Sequence, residues 1–150
     1  MRRELKQATA QLEEMNVRLQ QQANEDGLTK LYNRRYIDQK LESMVALHGR
    51  HRIPMSIILL DVDFFKLFND NYGHTEGDRC LQAIASQLTM TFCRSGEYVG
   101  RYGGEEFIIL LNNTDVQTAK KEAERIQVAL DSLDYPCLLY TSPSPRDSSK

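Results

Sequence analysis

Two carboxylates close an apolar segment in the middle of the chain. Asp61 and Asp63 follow the run Ile57–Leu60, and the alternation of a strand places both acids on one face. Gathering two acids at the end of a buried strand costs free energy unless a cation or hydrogen-bond donors satisfy them. Mg²⁺ binds a few carboxylate oxygens together with substrate phosphates. The pattern indicates a metal site for phosphate chemistry; the alternative is that both acids cap the next helix.

A second acidic cluster follows a pair of glycines. Gly103 and Gly104 precede Glu105 and Glu106, and glycines permit a turn with positive φ and the close approach of a ligand. The two acids point to opposite faces of a strand. If that strand neighbours the first one, one of them would meet Asp61 above the sheet and form a carboxylate pair that holds one or two metal ions. An ordinary hairpin with solvent-facing acids is the alternative.

The segment between the two clusters carries groups suited to a nucleotide. The amides of Phe64 and Phe65 lie at a predicted helix start, where N–H groups bind phosphate, and Lys66 adds positive charge. Asn69 and Asp78 combine an amide with a carboxylate, which suits the mixed donors and acceptors of guanine. The alternatives are a solvent-facing Asn69 and an Asp78 that caps the following helix.

Other signals for nucleotide chemistry are weak in this sequence. His74 has no other histidine near it in the sequence, and an isolated histidine is more often structural than catalytic. The chain contains neither a GxxxxGK[ST] motif nor a GxGxxG motif. A P-loop enzyme is therefore excluded and a dinucleotide-binding Rossmann site is unsupported.

The elements that must position these residues form a mixed α/β (α+β) pattern. Hydrophobic periodicity and turn residues predict helix, strand, helix, helix, strand, strand and helix in that order, with the two later strands in an antiparallel hairpin. The predicted boundaries are a helix capped by Asn33, a strand over Met55–Val62, a helix over Phe64–Tyr72, a helix through Leu81–Phe92, strands over Glu97–Tyr102 and Glu105–Leu111, and a helix after a capping box of Thr114 and Gln117.

Three zones divide the 150 residues. Residues 1–25 place leucines seven apart at Leu5, Leu12 and Leu19, which predicts either a solvated amphipathic helix or a short parallel coiled coil that pairs two copies. Residues 26–136 form the globular part. Residues 137–150 are rich in serine and proline, which predicts a disordered tail.

Composition limits the class of protein. The formal net charge is −2, whereas a general nucleic-acid coat is basic. The longest apolar runs are too short to cross a bilayer, and the basic start is not followed by an apolar leader. Three cysteines, odd in number and widely spaced, favour reduced thiols and a cytoplasmic location.

Four ordered motifs over residues 26–111 resemble the GGDEF family, the diguanylate cyclases. They are Asp26-Gly-Leu-Thr-Lys-Leu-Tyr-Asn-Arg-Arg, Leu60-Asp-Val-Asp-Phe-Phe-Lys, the stretch from Asn69 through Gly73-His74 to Gly77-Asp78, and Arg101-Tyr-Gly-Gly-Glu-Glu-Phe. The resemblance implies a ferredoxin-like domain related to polymerase palms, preceded by the N-terminal coiled-coil helix. It also implies a reaction in which two GTP molecules become cyclic di-GMP and two pyrophosphates, between protomers that meet face to face.

The resemblance implies site residues position by position. The ligands of a Mg²⁺ or Mn²⁺ ion would be Asp61, the Val62 carbonyl and Glu105. Glu105 would also be the base toward the 3′-hydroxyl, and Lys66 would stabilise the charge on the transferred phosphoryl group. The substrate-binding residues would be Phe64, Phe65, Asn69, His74, Asp78, Gly103 and Gly104.

Two departures from the family pattern stand out. The inhibitory product site is Arg-x-x-Asp in the family, and here Arg94 is followed by Glu97, which puts feedback inhibition in doubt. The family also continues with a further strand and helix, where this sequence has the Ser/Pro tail, which resembles translated adapter sequence. The domain is therefore expected to be incomplete and residues 137–150 to be non-native, so that the Asp61 strand becomes an open sheet edge.

Several functions remain as alternatives. The first is a diguanylate cyclase that acts as a homodimer and has no nucleic acid as a partner. Its parent protein would carry an upstream sensor domain, and whether the parent also has a membrane anchor is left open. The second is a catalytically inactive, truncated domain of the same family that only binds GTP or dimerises. The third is an interaction module in which the coiled coil is the active part. A palm-type nucleic-acid polymerase is disfavoured because the chain lacks a basic surface.

Overall fold

The predicted order of helices and strands is confirmed in the computed structural model, which describes residues 2–133. The elements are α1 Arg2–Asn24, α2 Arg34–His51, β1 Met55–Asp61, α3 Phe65–Tyr72, α4 His74–Thr91, β2 Glu97–Arg101, β3 Glu106–Asn112 and α5 Val116–Asp131. The predicted tail over 137–150 and the last residues of the predicted globular part, 134–136, lie outside the described residues.

The sheet brings the two acidic segments to one end. Its strand order is β1-β3-β2, with both pairs antiparallel. Asp61, the last residue of β1, is the partner of Glu106, the first residue of β3. The hairpin between β2 and β3 therefore lies beside the carboxyl end of β1, which meets the condition that the sequence analysis left open.

The core forms on both faces of the central strand. Phe107, Ile109 and Leu111 of β3 pack in one cluster with residues of α4 and α5. Ile108 and Leu110 pack in the other cluster, with residues of α2. Because successive side chains of a strand point to opposite faces, a strand covered on both sides is apolar at every position. This explains the uninterrupted run in β3.

β1 forms one edge of the sheet within the described residues, since β3 is its only partner there. Ile57 and Leu59 point away from the larger cluster and are 44% and 69% exposed. This matches the expected open edge, which is a liability for edge-to-edge association.

Side-chain caps fix the helix starts, and one predicted cap is wrong. Asn33 accepts a hydrogen bond from the backbone N–H of Tyr36 at 2.9 Å, as predicted. At α5 the cap is Asp115, which accepts from the N–H of Thr118 at 2.8 Å. The Thr114 N–H instead donates to the Pro54 carbonyl. Thr114 thus closes the end of the sheet, and the carboxylate one residue later becomes the cap.

The N-terminal helix is confirmed as a single element, α1, and none of its residues is buried. Leu5, Leu12 and Leu19 are each more than half exposed. The choice between a solvated helix and a coiled coil therefore depends on a second copy of the chain. In the described part of the protein, no helix combines the length and the hydropathy needed to cross a membrane.

The cysteines depart in part from the expectation of reduced thiols. Cys93 is free and exposed. Cys80 is disulfide-bonded and fully buried among the residues of the larger core cluster. The expectation is therefore wrong for Cys80 and correct for Cys93.

Candidate active site

The end of β1 and the start of β3 are joined through the backbone. The N–H of Val62 donates to the carbonyl of Glu105 at 3.1 Å, which extends the pairing of Asp61 with Glu106 by one step. Val62 is buried and Glu105 is half-buried. The structure therefore brings together Asp61, Val62 and Glu105, the three residues predicted to bind metal.

Like charges crowd Glu105. Burial raises the pKa of the Glu105 carboxyl above its ordinary value, and the nearby carboxylates of Asp61, Glu106 and Asp63 raise that pKa further. Repulsion among acids favours the protonated form of one of them. The sequence indicated that Asp61 would meet one of the two glutamates, whereas both contribute to the cluster, because Glu105 lies in the turn rather than in the strand.

The glycine pair allows close packing without unusual backbone angles. The described glycines with positive φ are Gly73 and Gly96, so Gly103 and Gly104 do not use the positive φ that a glycine permits. A Cβ on Gly103 would lie 2.5 Å from Oε1 of Glu106, whereas the space around Gly104 is open. Gly103 thus makes room for a site carboxylate, and Gly104 leaves space in front of the turn.

The acidic cluster fits a hard divalent cation. In the described part of the chain, no group of three or more His, Cys, Asp or Glu side chains could hold a metal ion by itself. Two carboxylates, Asp61 and Glu105, with the Val62 carbonyl, are instead a partial oxygen set of the kind that Mg²⁺ completes with water and phosphate. A cation would also relieve the repulsion that raises the pKa of Glu105.

The start of α3 presents the predicted phosphate-binding amides. Phe64 is the N-cap, has a left-handed backbone (φ 57°), and makes no capping hydrogen bond through its side chain. Neither Asp61 nor Asp63 occupies the N-cap position, which argues against the capping alternative for them. Lys66 lies exposed in the first turn, where its charge adds to the positive end of the helix.

The two predicted guanine-binding residues lie on packed helices, α3 and α4. Oδ1 of Asn69 is buried and has no hydrogen-bond partner, so the solvent-facing alternative for Asn69 is not supported. Asp78 is exposed in the second turn of α4, whose N-cap is Gly73. Asp78 is therefore not a helix cap. His74, the first residue of α4, is exposed.

The predicted inhibitory segment forms a turn before β2. The Glu97 side chain accepts a hydrogen bond from the backbone N–H of Arg94 at 3.0 Å, and the Glu97 N–H donates to the Arg94 carbonyl. Gly96 supports this turn with φ 87°. The register places the turn at the Met55 end of the sheet, the end opposite the acidic cluster.

Sequence reasoning placed Gly77, Asp26 and Arg101 in the motifs but assigned them no role in the site. A Cβ on Gly77 would lie 1.9 Å from Oδ1 of Asn69, and a glycine inside a helix, where it costs stability, was the available signal. Arg101 forms an ion pair with Asp26 at 3.2 Å. The Asp26-x-x-Thr29 spacing of a side-chain turn was the signal for Asp26.

Comparisons with known proteins agree with this geometry. Residues 23–145 match the family described as "Diguanylate cyclase, GGDEF domain". A curated relative from Vibrio cholerae, named diguanylate cyclase, is 44% identical over 114 residues, which are 76% of this chain and 35% of the relative. The chain thus spans about a third of that relative's length.

Solved structures give the same result. The coiled coil and GGDEF domain of DgcB from Caulobacter crescentus, in complex with c-di-GMP, superposes with a TM-score of 0.77 at 30% identity, covering 86% of this chain and 69% of that one. The active GGEEF domain of a Vibrio cholerae diguanylate cyclase superposes with a TM-score of 0.65 at 39% identity, covering 69% and 65%.

Proposed function

Because the chain belongs to the diguanylate cyclase GGDEF domain family, we propose that it joins two GTP molecules into cyclic di-GMP. The observation that carries the proposal is the meeting of Asp61, Val62 and Glu105 beside the start of α3. An acidic oxygen set next to the amino-terminal amides of α3 suits phosphoryl transfer, where positioning and charge neutralisation do most of the catalysis.

The reaction consists of two equivalent transfers. In each, the 3′-hydroxyl oxygen of one GTP forms a bond to the α-phosphorus of the other, the bond to pyrophosphate breaks, and the hydroxyl proton passes to the Glu105 carboxylate. A base works best when its pKa lies near the working pH; burial and neighbouring acids raise the pKa of the Glu105 carboxyl in the metal-free chain, and a bound cation would offset part of that rise. Mg²⁺ or Mn²⁺, bound by Asp61, the Val62 carbonyl and Glu105, would supply charge neutralisation at the phosphates.

Substrate binding is assigned to groups on α3, α4 and the hairpin. The amides of Phe64 and Phe65 and the ammonium of Lys66 would bind the phosphates. Asn69 and Asp78 would bind guanine, with the buried, unpartnered Oδ1 of Asn69 as the amide oxygen available to it. His74, Gly103 and Gly104 would border the substrate.

Catalysis would require two copies of the chain, because each protomer holds one GTP. α1 is suited to pair them, since its apolar seam at Leu5, Leu12 and Leu19 is exposed in the single chain. We further propose that the protein works in the cytoplasm, where GTP is available and where the free thiol of Cys93 is expected, and that a sensor domain precedes α1 in the parent. The disulfide bond at Cys80 is unusual for that compartment. Light scattering of the whole chain against a Leu12→Glu variant tests the pairing; equal monomer masses would contradict it.

The test of activity is product formation by the purified 150-residue chain with GTP and Mg²⁺, read by mass spectrometry. Cyclic di-GMP and pyrophosphate are expected in a 1:2 ratio, and no product is expected from Glu105→Ala. Full activity of Glu105→Ala would show that the site assignment is wrong. GTP binding without product from the unaltered chain would favour the inactive, GTP-binding domain instead.

A further inference from the structure

Arg101 contacts the turn that carries Glu105. Its guanidinium donates from Nε and from Nη2 to the carbonyl oxygen of Gly104, at 3.1 and 2.8 Å. That oxygen belongs to the peptide bond between Gly104 and Glu105. Because a peptide unit is planar, two hydrogen bonds on its oxygen also restrain the N–H and Cα of Glu105.

The remaining nitrogen of the same guanidinium is held by a carboxylate from a distant segment. Nη1 of Arg101 lies 3.3 and 3.2 Å from the two carboxylate oxygens of Asp26. The Asp26 carboxylate also accepts from the N–H and the hydroxyl of Thr29, both at 2.8 Å. The two charged side chains are only 19% and 22% exposed, so water screens this pair less than an exposed one.

The Gly104 peptide is the part of the turn that this contact restrains. Gly104 has no side chain and open space around it, and a glycine backbone is less restricted than that of other residues. The carbonyl of Glu105 is already held by the N–H of Val62, so Arg101 adds a restraint on the amino-terminal side of the same residue. Glu105 is repelled by Asp61, Glu106 and Asp63, and without that second restraint its carboxylate would turn away from Asp61.

We propose that Arg101 is a positioning residue that holds Glu105 beside Asp61 through the Gly104 carbonyl, with Asp26 holding Arg101. The inference rests on the proposed function, because it concerns the base and metal ligand of that reaction. It differs from a purely structural ion pair, since a structural pair would stabilise the fold without acting through Glu105.

The decisive experiment measures Mn²⁺ binding to the nucleotide-free chain by electron paramagnetic resonance. Arg101→Lys keeps the charge but loses the planar fork, and is expected to weaken Mn²⁺ binding by roughly 10-fold, at the low end of what outer partners of metal ligands contribute. In a Glu105→Gln background the same substitution is expected to leave Mn²⁺ affinity unchanged. An equal loss in both backgrounds, or no loss in a folded Arg101→Lys, would overturn the proposal.

Two further variants guard the interpretation. Asp26→Asn loses the ion pair with Arg101 but keeps an oxygen that can accept from Thr29. This variant replaces Arg101→Lys in the experiment if Arg101→Lys does not fold. Its expected loss of Mn²⁺ affinity is smaller and should also require Glu105. Arg125→Lys, in the exposed pair with Glu122 on α5, is the matched control and should bind Mn²⁺ as the unaltered chain does.

Activity gives an independent readout. If the chain makes cyclic di-GMP, Arg101→Lys should lower kcat by about 10- to 100-fold at saturating GTP and metal, because Glu105 is the proposed base. A fall in kcat/KM carried by KM alone would contradict the positioning role. If the unaltered chain makes no product, the proposed activity fails, while the Mn²⁺ cycle still tests the role of Arg101.

Discussion

The two ends of the sheet treat their polar groups in opposite ways. At the Met55 end, called here the capped end, Asp115 caps α5 and hydrogen bonds from Thr118 hold the pKa of its carboxyl below the ordinary value. At the Asp61 end, called here the site end, burial and neighbouring acids hold the pKa of Glu105 above it. Hydrogen bonds thus satisfy the Asp115 carboxylate at the capped end, whereas like charges crowd the Glu105 carboxylate at the site end.

The difference extends to buried polar atoms. The site end leads into α3, where Oδ1 of Asn69 is buried without a partner, and a buried polar atom left without a hydrogen bond costs free energy. Such costs are typical of sites built for a ligand rather than for stability. Left-handed backbone at non-glycine residues does not separate the ends, because it occurs at Phe64 on one side and at Arg52 and Asn113 on the other.

Gly77→Ala should give the largest effect on stability. The new Cβ would overlap Oδ1 of Asn69, so we expect the free energy of unfolding to fall by about 1–3 kcal/mol, the usual cost of overpacking, together with weaker GTP binding. Gly49→Ala in α2 is the control, because open space surrounds Gly49 and alanine favours the helix. Denaturant unfolding compares the two. A neutral Gly77→Ala would mean that the Asn69 environment is looser than the structure shows.

Asp115→Ala should have the next largest effect, and only on stability. Loss of an N-cap lowers the free energy of unfolding, while the site end and its activity should be unchanged. Gln117→Ala is the control, because Gln117 would matter only if the capping box predicted from the sequence existed. Thermal unfolding measures both variants. A larger loss for Gln117→Ala would reverse the assignment of the cap.

Glu105→Gln should stabilise the metal-free chain near neutral pH. The pKa of the Glu105 carboxyl is higher in the folded chain than in the unfolded chain, so the folded chain keeps this proton to a higher pH. As the pH rises from the unfolded pKa through the folded pKa, the carboxyl therefore lowers the free energy of unfolding. Glutamine removes this loss, so the Tm of the metal-free Glu105→Gln chain should be higher than that of the unaltered chain near neutral pH. The gain should disappear below the unfolded pKa of glutamate. A constant gain at all pH values would exclude charge repulsion as the cause.

Asp115 should show the opposite pH dependence in the same experiment. Its folded pKa is lowered, so its contribution is present above the unfolded pKa and is lost as pH falls through the folded pKa. The difference in Tm between Asp115→Asn and the unaltered chain should therefore shrink in acid. If the Tm differences of Glu105→Gln and Asp115→Asn from the unaltered chain changed with pH in the same direction, the contrast between the two ends would be contradicted.

Arg94→Ala should have the smallest effect on stability, since the Arg94 side chain is exposed and the turn is held through backbone groups. If the predicted inhibitory site functions with Glu97, this variant should be inhibited less by cyclic di-GMP. Inhibition curves for product formation measure it. Identical curves would show that Arg94 has no part in inhibition and that the capped end is structural alone.

Local sequence was sufficient for most of the architecture. The order of elements, the Asn33 cap and the end of α3 at Gly73 were predictable, because caps, glycines and apolar periodicity act within a few residues. The Thr114 cap was wrong since a long-range hydrogen bond to Pro54 recruits that residue to the sheet. The predicted tail, the domain limits and the roles of the site residues stay predictions.

The sequence by itself determined which chemical groups this protein carries: the acids after two strands, the glycine pair, and the amide and carboxylate of α3 and α4. Only the tertiary structure decided how they meet. Antiparallel register set Asp61 against Glu106, a backbone bond joined Val62 to Glu105, and Arg101 reached across to Asp26. The physical reason is that pairing register and ion pairs between distant segments depend on packing of the whole core, which no local pattern encodes.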